Sequence, residues 1–273
     1  MENIYLPKLA VIKEIIQETP DTKTVRLTVD GGIIDYLPGQ FGEFSCIGEG
    51  ESTFGFASSP LRKDSFEFSF RTAGRATTGI NGLNVGDNIG FRGPYGNFFN
   101  TDKMKGKDII FIGGGIGMAP VKSILEYCID ERNNYGKITV LYGAKTVMDL
   151  MYKKGIEEWK ASPNTDVVIT VDPGGETPDW KGRVGFVPTI LEELPVKGNN
   201  AIAVVCGPPI MIKFVLKSLE KMGFNKEDII TTLENRMKCG LGKCGRCNIG
   251  SVYVCKEGPV FTAKDLESLP NDF

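Results

Sequence analysis

Histidine is absent from all 273 residues. The chain therefore supplies no His-ligated haem, no Rieske centre and no Ser–His or Cys–His catalytic pair. Hydrolytic chemistry recedes, and chemistry carried by a bound cofactor comes forward. Long apolar runs are missing too. No stretch approaches the roughly 20 apolar residues of a membrane helix, and the opening MENIYLPKLAVIKEI holds no apolar run of signal length. A surplus of charge is also lacking. The net value is −2 with 24% charged residues, so nothing points to nucleic acid. Seven cysteines, an odd number without an export signal, fit a reducing compartment. A cytoplasmic protein with no membrane span and no nucleic-acid partner is expected. The hydrophobic content, 41%, is ordinary for a globular protein, and the length suffices for two domains and a small appendage.

Patterning divides the chain by rhythm. Residues 1 to about 100 read as β structure, with strands expected at 23–30, 42–47, 65–70 and 87–93 from alternating, β-branched and aromatic residues. Turn signals fall at Pro38-Gly39, Ser59-Pro60 and Val85-Gly86-Asp87. Short strands at close spacing predict a small barrel or sandwich. From about 105 to 230, strands at 109–112, 138–143, 167–172, 201–207 and 229–233 alternate with helical segments. Val121, Ile124, Leu125, Cys128 and Ile129 form one apolar helix face, and Met211, Phe214, Val215, Leu219 and Met222 repeat the pattern. Alternating β and α predicts a doubly wound parallel sheet.

The densest chemistry lies near the C-terminus. Cys239, Cys244 and Cys247 stand at C-x4-C-x2-C, and Cys255 follows eight residues after the third. Plant-type ferredoxins open their [2Fe–2S] ligand set with that spacing. Gly240, Gly242 and Gly245 can take positive φ and let the backbone curl around a small cluster. Lys243 and Arg246 add positive charge beside the thiolates. Four thiolates also suit zinc, although zinc sites usually use pairs at C-x2-C and only one such pair is present. A disulfide set in a secreted protein is the third reading of the same residues.

Two further motifs sit at strand ends. Gly113-Gly114-Gly115-Ile116-Gly117 follows the first parallel strand and runs through Ala119 and Pro120 into a helix. Glycines there let a pyrophosphate approach the backbone and the helix N-terminus. Met118 occupies the third glycine position of the usual dinucleotide fingerprint, and Tyr142-Gly143-Ala144-Lys145 replaces the usual acid at the second strand end. Cys206-Gly207-Pro208-Pro209-Ile210-Met211 ends the fourth parallel strand, where ligands of such sheets bind. The bland alternatives are a tight glycine turn without a ligand and a buried core cysteine before a helix.

The pairing of GGGIGMAP with CGPP resembles the ferredoxin–NADP reductase superfamily, in which a flavin barrel precedes a nicotinamide domain. Pro38-Gly39-Gln40-Phe41, Arg71-Thr72-Ala73-Gly74-Arg75-Ala76-Thr77-Thr78 and Gly93-Pro94-Tyr95-Gly96 match its flavin-domain motifs. The stretch Glu234–Cys247, followed by Val254-Cys255 and Gly258-Pro259-Val260-Phe261, is similar to electron-transfer subunits with FAD and one [2Fe–2S] cluster. These include the gamma subunit of cytoplasmic nickel–iron hydrogenases and the electron-transfer subunits of anaerobic sulfite reductase and of dihydroorotate dehydrogenase B. SSPLRK, RTAGRATT and RGPYGN lean towards the first two.

The resemblance implies a flavin β barrel over 1–101, a doubly wound α/β nicotinamide domain over 102–233 and an iron–sulfur module over 234–273. It implies FAD contacts from Thr53, Phe54, Gly55, Ser69, Phe70, Arg71, Gly74, Ala76, Thr77 and Thr78. It implies NAD(H) or NADP(H) contacts from the glycine run with Ala119 and Pro120, from Tyr142, Gly143 and Ala144, and from Cys206, Gly207, Pro208, Pro209 and Met211. Cys206 would stand near the nicotinamide and shape the hydride path, and the four clustered cysteines would hold the cluster. One departure stands out. Ser52-Thr53-Phe54-Gly55 lies where the family has R-x-Y-S, so the arginine that meets the flavin phosphate is missing. Backbone amides, Arg71 or Arg75 would have to replace it. The implied function is an NAD(P)H-linked oxidoreductase subunit that exchanges electrons with a redox partner. The competing readings are a stand-alone diaphorase or flavin reductase, and a non-catalytic zinc module that kept the fold.

Overall fold

The computed structural model describes residues 3–29 and 34–270. The chain forms two compact units. One comprises Met1–Phe99, Lys122–Tyr127 and Leu233–Val260; the other comprises Asn100–Val121, Cys128–Thr232 and Phe261–Phe273.

The first unit opens with strands β1 (Lys8–Thr19), β2 (Thr22–Val29), β3 (Phe41–Cys46), β4 (Gly50–Gly55) and β5 (Phe66–Arg71), helix α1 (Arg75–Asn81) and strand β6 (Asn88–Tyr95). These strands make an antiparallel sheet in the order β4-β3-β6-β1-β2-β5. A bridge between Phe56 and Phe68 draws its two edges together. The sheet curls because one face is phenylalanine. The two-residue period of β5 puts Phe66, Phe68 and Phe70 on that face, where they meet Phe44, Phe56 and Phe91, all at most 3% exposed. Phe44 stacks on Phe68 at 4.1 Å between ring centroids, and Phe54 on Phe68 at 5.1 Å.

Sequence patterning gives no strand at β1 or β4, and it reads α1 as part of a β region. In β1 the register slips between Ile12 and Glu14 and again between Gln17 and Thr19. Each slip breaks the alternation on which a strand is recognised. Helix α1 is seven residues long, with a single buried apolar side chain, Ile80, so it shows no helical stripe.

The other face of β5 carries a buried ion cluster. Lys122 Nζ lies 3.0 Å from Glu67 Oε2 and 3.0 Å from Glu126 Oε1, and donates to the Ala57 carbonyl at 2.7 Å. Burial alone would push this ammonium down, but Glu126 and Glu67 outweigh it and hold it above its ordinary value. The Ser123 hydroxyl donates to the Ser58 carbonyl at 2.7 Å. These contacts fasten residues 122–127 to the barrel sheet.

The chain continues with α2 (Thr101–Met104), β7 (Asp108–Gly114), α3 (Met118–Asp130), β8 (Ile138–Ala144), α4 (Lys153–Ala161), β9 (Thr165–Val171), β10 (Arg183–Val184), α5 (Val187–Glu192), β11 (Ala201–Cys206), α6 (Pro209–Lys221) and β12 (Ile229–Thr232), all in the second unit except residues 122–127 of α3. The C-terminal region follows with β13 (Asn248–Ile249), β14 (Val252–Tyr253), α7 (Val254–Glu257), β15 (Val260–Thr262) and α8 (Ala263–Leu266). A sheet runs in the order β10-β9-β8-β7-β11-β12-β15, and β9, β8, β7, β11 and β12 are parallel. The chain leaves β7 towards β8 and later returns to its other side as β11. A crevice therefore opens beyond the carboxyl ends of these two strands, the usual ligand site of such sheets. The helix faces expected from periodicity hold with one correction. Val121, Ile124, Leu125, Cys128, Val215 and Leu219 are fully buried, whereas Phe214 is 49% exposed. Phe214 lies at the edge of the α6 stripe, and the Lys217 ammonium sits 5.8 Å from its ring centroid.

Candidate functional site

The loop after β12 carries the cysteines, and all seven thiols of the chain are free. Gly240, Gly242 and Gly245 adopt φ of 71°, 67° and 72°. That curl turns amides onto sulfur. Leu241 N and Lys243 N donate to Cys239 Sγ at 3.4 Å each, and Gly242 N donates to Cys255 Sγ at 3.1 Å. Burial would raise Cys239, but the amides of Leu241, Cys244 and Lys243 overcome it and pull the thiol down to about 6. Burial and the adjacent Cys247 push Cys255 up to about 12. Cys247 Sγ lies 3.3 Å from Cys255 Sγ, and the Cys244 thiol stands close enough to Cys239 to help lower it. Two thiolates per iron is the ligand set of a two-iron, two-sulfide cluster, so the residues fit that group. Amide hydrogen bonds to sulfur are also a lever on its potential.

The loop is seated on the outer face of β3, β4 and β6. Arg92 Nη1 donates to the Cys239 carbonyl at 3.2 Å and Nη2 to the Lys238 carbonyl at 3.4 Å, while Glu51 grips the same guanidinium at 2.5 Å. The Thr53 hydroxyl donates to the Met237 carbonyl at 3.4 Å. Gly240 lies against Tyr95, where a Cβ would come within 2.4 Å of the ring, so no larger residue fits. Asn97 holds the other arm, with Nδ2 on the carbonyls of Glu257 (2.9 Å) and Val260 (2.8 Å), and its amide on Gly258 O (2.7 Å). The RGPYGN segment is thus the cradle of the cysteine loop. Beneath it lies Glu43, 1% exposed, with Oε1 lacking a hydrogen-bond partner.

A cleft of about 370 Å³ opens in the same unit beside α1. It is lined by Glu49, Gly50, Glu51 and Ser52, by Ala73, Gly74, Arg75, Ala76 and Thr77, and by Lys238. Thr77 Oγ1 takes the Ala73 amide at 2.9 Å and donates to the Gly74 carbonyl at 2.9 Å, which fixes the turn into α1. Of the flavin residues implied by resemblance, Gly74, Ala76 and Thr77 come together here. Thr78 is exposed on α1, and Thr53 and Gly55 lie further along β4. Phe54 stacks in the barrel core, Phe70 is fully buried, and Ser69 Oγ lies 2.8 Å from Thr24 Oγ1. Arg71 does not line the cleft and pairs with Asp21 at 3.1 Å. Arg75 Nε is held by Glu49 at 2.9 Å.

In the second unit the two strand-end motifs meet. Cys206 on β11 is in register with Gly113 on β7. Gly117 faces Gly207 so closely that a Cβ would lie 2.6 Å from the Gly207 backbone. Met211 packs under both turns: a Cβ on Gly114 would meet its sulfur at 2.4 Å, and one on Gly207 its methyl at 2.4 Å. Pro208 caps α6 and Pro209 begins it. Ala119 is buried and Pro120 half-buried in the first turn of α3. Tyr142 is fully buried and its hydroxyl accepts the Met151 amide at 3.1 Å, so this side chain serves the core; Gly143 and Ala144 follow it to the strand end. The Thr232 hydroxyl donates to Cys206 Sγ at 3.0 Å. Sequence reasoning misses Thr232, because only the parallel pairing of β11 with β12 brings the two residues together. It misses Lys238, Arg92 and Asn97 as well. The signals available were the adjacency of Lys238 to Cys239 and the RGPYGN turn, which the resemblance assigns to the flavin domain.

Residues 111–217 match the oxidoreductase NAD-binding domain, and residues 234–267 match the iron–sulfur cluster binding domain of dihydroorotate dehydrogenase B. The chain is 40% identical over 239 residues to the sulfhydrogenase 1 subunit gamma of Pyrococcus furiosus, covering 86% of this chain and 82% of that one. The chain belongs to this family of electron-transfer subunits. It is also 33% identical over 264 residues to a probable dihydroorotate dehydrogenase B electron transfer subunit of Methanocaldococcus jannaschii, covering 96% and 91%. The fold is that of NADH-dependent reduced ferredoxin–NADP oxidoreductase (TM-score 0.76, 21% identity, 100% of this chain and 92% of that one). It is likewise that of the cytochrome b5 reductase domain of Ulva prolifera nitrate reductase (TM-score 0.71, 24% identity, 84% and 98%). The family member described here is thus an NAD(P)H-linked oxidoreductase subunit with an NAD-binding domain and an iron–sulfur cluster binding domain. Among the described residues no helix is long and apolar enough to cross a membrane.

Proposed function

We propose that the chain is the electron-transfer subunit of a cytoplasmic complex of the hydrogenase gamma type, and that its redox partner is a separate catalytic subunit. The observation that carries the reading is the set of four thiols at Cys239, Cys244, Cys247 and Cys255, two of them 3.3 Å apart and two accepting backbone amides, held in a loop that the barrel seats. The 40% relative favours the hydrogenase branch over the dihydroorotate branch at 33%. The flavin, when bound, accepts a hydride and releases electrons singly, and the cluster takes one electron at a time.

The chain's own residues bind and orient. The Gly113–Gly117 turn offers close backbone approach to a pyrophosphate, with Cys206, Gly207, Pro208, Pro209 and Met211 forming the facing wall. Thr232 fixes the Cys206 side chain at the strand end. Gly74, Ala76 and Thr77 shape the flavin cleft. Arg92 and Asn97 hold the two arms of the cysteine loop, which keeps the four sulfurs oriented. The decisive experiment is anaerobic affinity isolation from native extract. The expected result is one FAD and two iron atoms per chain, with a hydrogenase catalytic subunit co-purifying. Recovery of a colourless zinc protein refutes the reading. Recovery of the flavin and cluster without any partner leaves a stand-alone diaphorase.

A further inference from the structure

The flavin cleft has a charge problem. A pyrophosphate brings negative charge, and the family arginine is replaced by the Ser52–Gly55 segment of β4. The two arginines closest in sequence already have carboxylate partners. Arg71 pairs with Asp21 outside the cleft lining, and Arg75 is tied to Glu49 and to the Gly48 carbonyl at 2.8 Å. The other carboxylate of the lining, Glu51, is already neutralised by Arg92. One cation remains. Lys238 lines the cleft, is exposed, and has no carboxylate within 4 Å among the described residues. Its backbone is fixed, because Arg92 donates to its carbonyl at 3.4 Å and to that of Cys239 at 3.2 Å. An ammonium on an anchored backbone at the mouth of an anion site is the point charge that a phosphate accepts.

We propose that Lys238, supplied by the arm of the cysteine loop, is the cation that binds the pyrophosphate of FAD in place of the missing arginine. The proposal rests on the FAD reading of the cleft and adds its phosphate ligand. It also ties the two cofactors together in one segment. The residue that holds the flavin phosphate is the immediate neighbour of Cys239, a cluster ligand, and Arg92 fixes both.

The test uses the full chain with its cluster, stripped of flavin and titrated anaerobically with FAD and with riboflavin, which lacks phosphate. Wild type should bind FAD more tightly than riboflavin, and increasingly so at low salt. Lys238→Gln should weaken FAD at least roughly tenfold, the scale of one charge-assisted hydrogen bond, and leave riboflavin unchanged. Lys238→Arg should restore most of the loss. Unaltered FAD affinity in Lys238→Gln overturns the proposal, as does an equal loss of FAD and riboflavin, which reports a damaged fold. The proposal also fails if Arg71→Gln carries the loss while Lys238→Gln binds as wild type. A wild-type chain indifferent between FAD and riboflavin overturns the FAD reading itself.

Discussion

Glu43 should make the first unit less stable at pH 8 than at pH 5. The carboxyl lies on the outer face of β3, 1% exposed, between Thr53 and Arg92 in the strand register. Burial pushes it up from 4.5 to about 7; the Thr53 hydroxyl lowers it, Glu51 raises it, and Arg92 and Lys238 lower it. The folded value therefore exceeds the unfolded one. The folded state meets no penalty from this group below about 4.5, and the penalty grows as pH rises through about 7. At 1.36 kcal/mol per pH unit between those values, the full penalty is on the order of 3 kcal/mol. Glu43→Gln keeps the shape but cannot ionise. At pH 8 the variant should melt about 6–12 °C above wild type, at 2–4 °C per kcal/mol, and near pH 4.5 the two should coincide. Anaerobic calorimetry at constant scan rate across this range reads the difference. A variant no more stable than wild type at pH 8, or a pH-independent gap, refutes the reasoning.

Other outcomes follow from the sites. Cys206→Ala should slow flavin reduction by NAD(P)H roughly tenfold in stopped flow with normal flavin content. Thr232→Val, which removes one hydrogen bond to that sulfur, should slow it about fivefold, from ~1 kcal/mol; unchanged rates in both return Cys206 to core packing. On the proposed reading Cys255→Ser should lose most iron and keep FAD, because Cys255 would supply one of the four sulfurs and the cleft proposed for the flavin lies elsewhere in the unit. A full cluster spectrum in that variant means another ligand completes the site. Arg92→Met should destabilise the first unit by about 3 kcal/mol, since it leaves Glu51 unpaired and two loop carbonyls unheld. It should also speed iron loss to a chelator, and a chelation rate equal to wild type contradicts the cradle.

Much of this protein is written in local pattern. The parallel strands β7, β8, β9, β11 and β12 declare themselves as short apolar runs, because both faces of such a sheet are covered, whereas the two exposed residues of β10 carry no such signal. The thiolate spacing and its glycines specify a loop that wraps a cluster, because ligand geometry acts over a few residues. Cys206 and the glycine run are visible for the same reason: strand ends and turns are local. Tertiary structure decided what these residues meet. The β1 bulges hide a strand whose partners are far along the chain, and Thr232 reaches Cys206 only through strand pairing. Tyr142, adjacent in sequence to a nucleotide-site position, is drawn into the core by the Met151 amide. Glu43, Arg92 and Lys238 are unremarkable in sequence, since charge on a strand or a loop normally faces water. The segment around Lys238, almost 150 residues after Arg92, folds back over the barrel, covers Glu43 and Arg92 and brings Lys238 to the lining of the cleft beside α1. Burial and charge balance are sums over neighbours from distant parts of the chain, and only the folded chain assembles those neighbours.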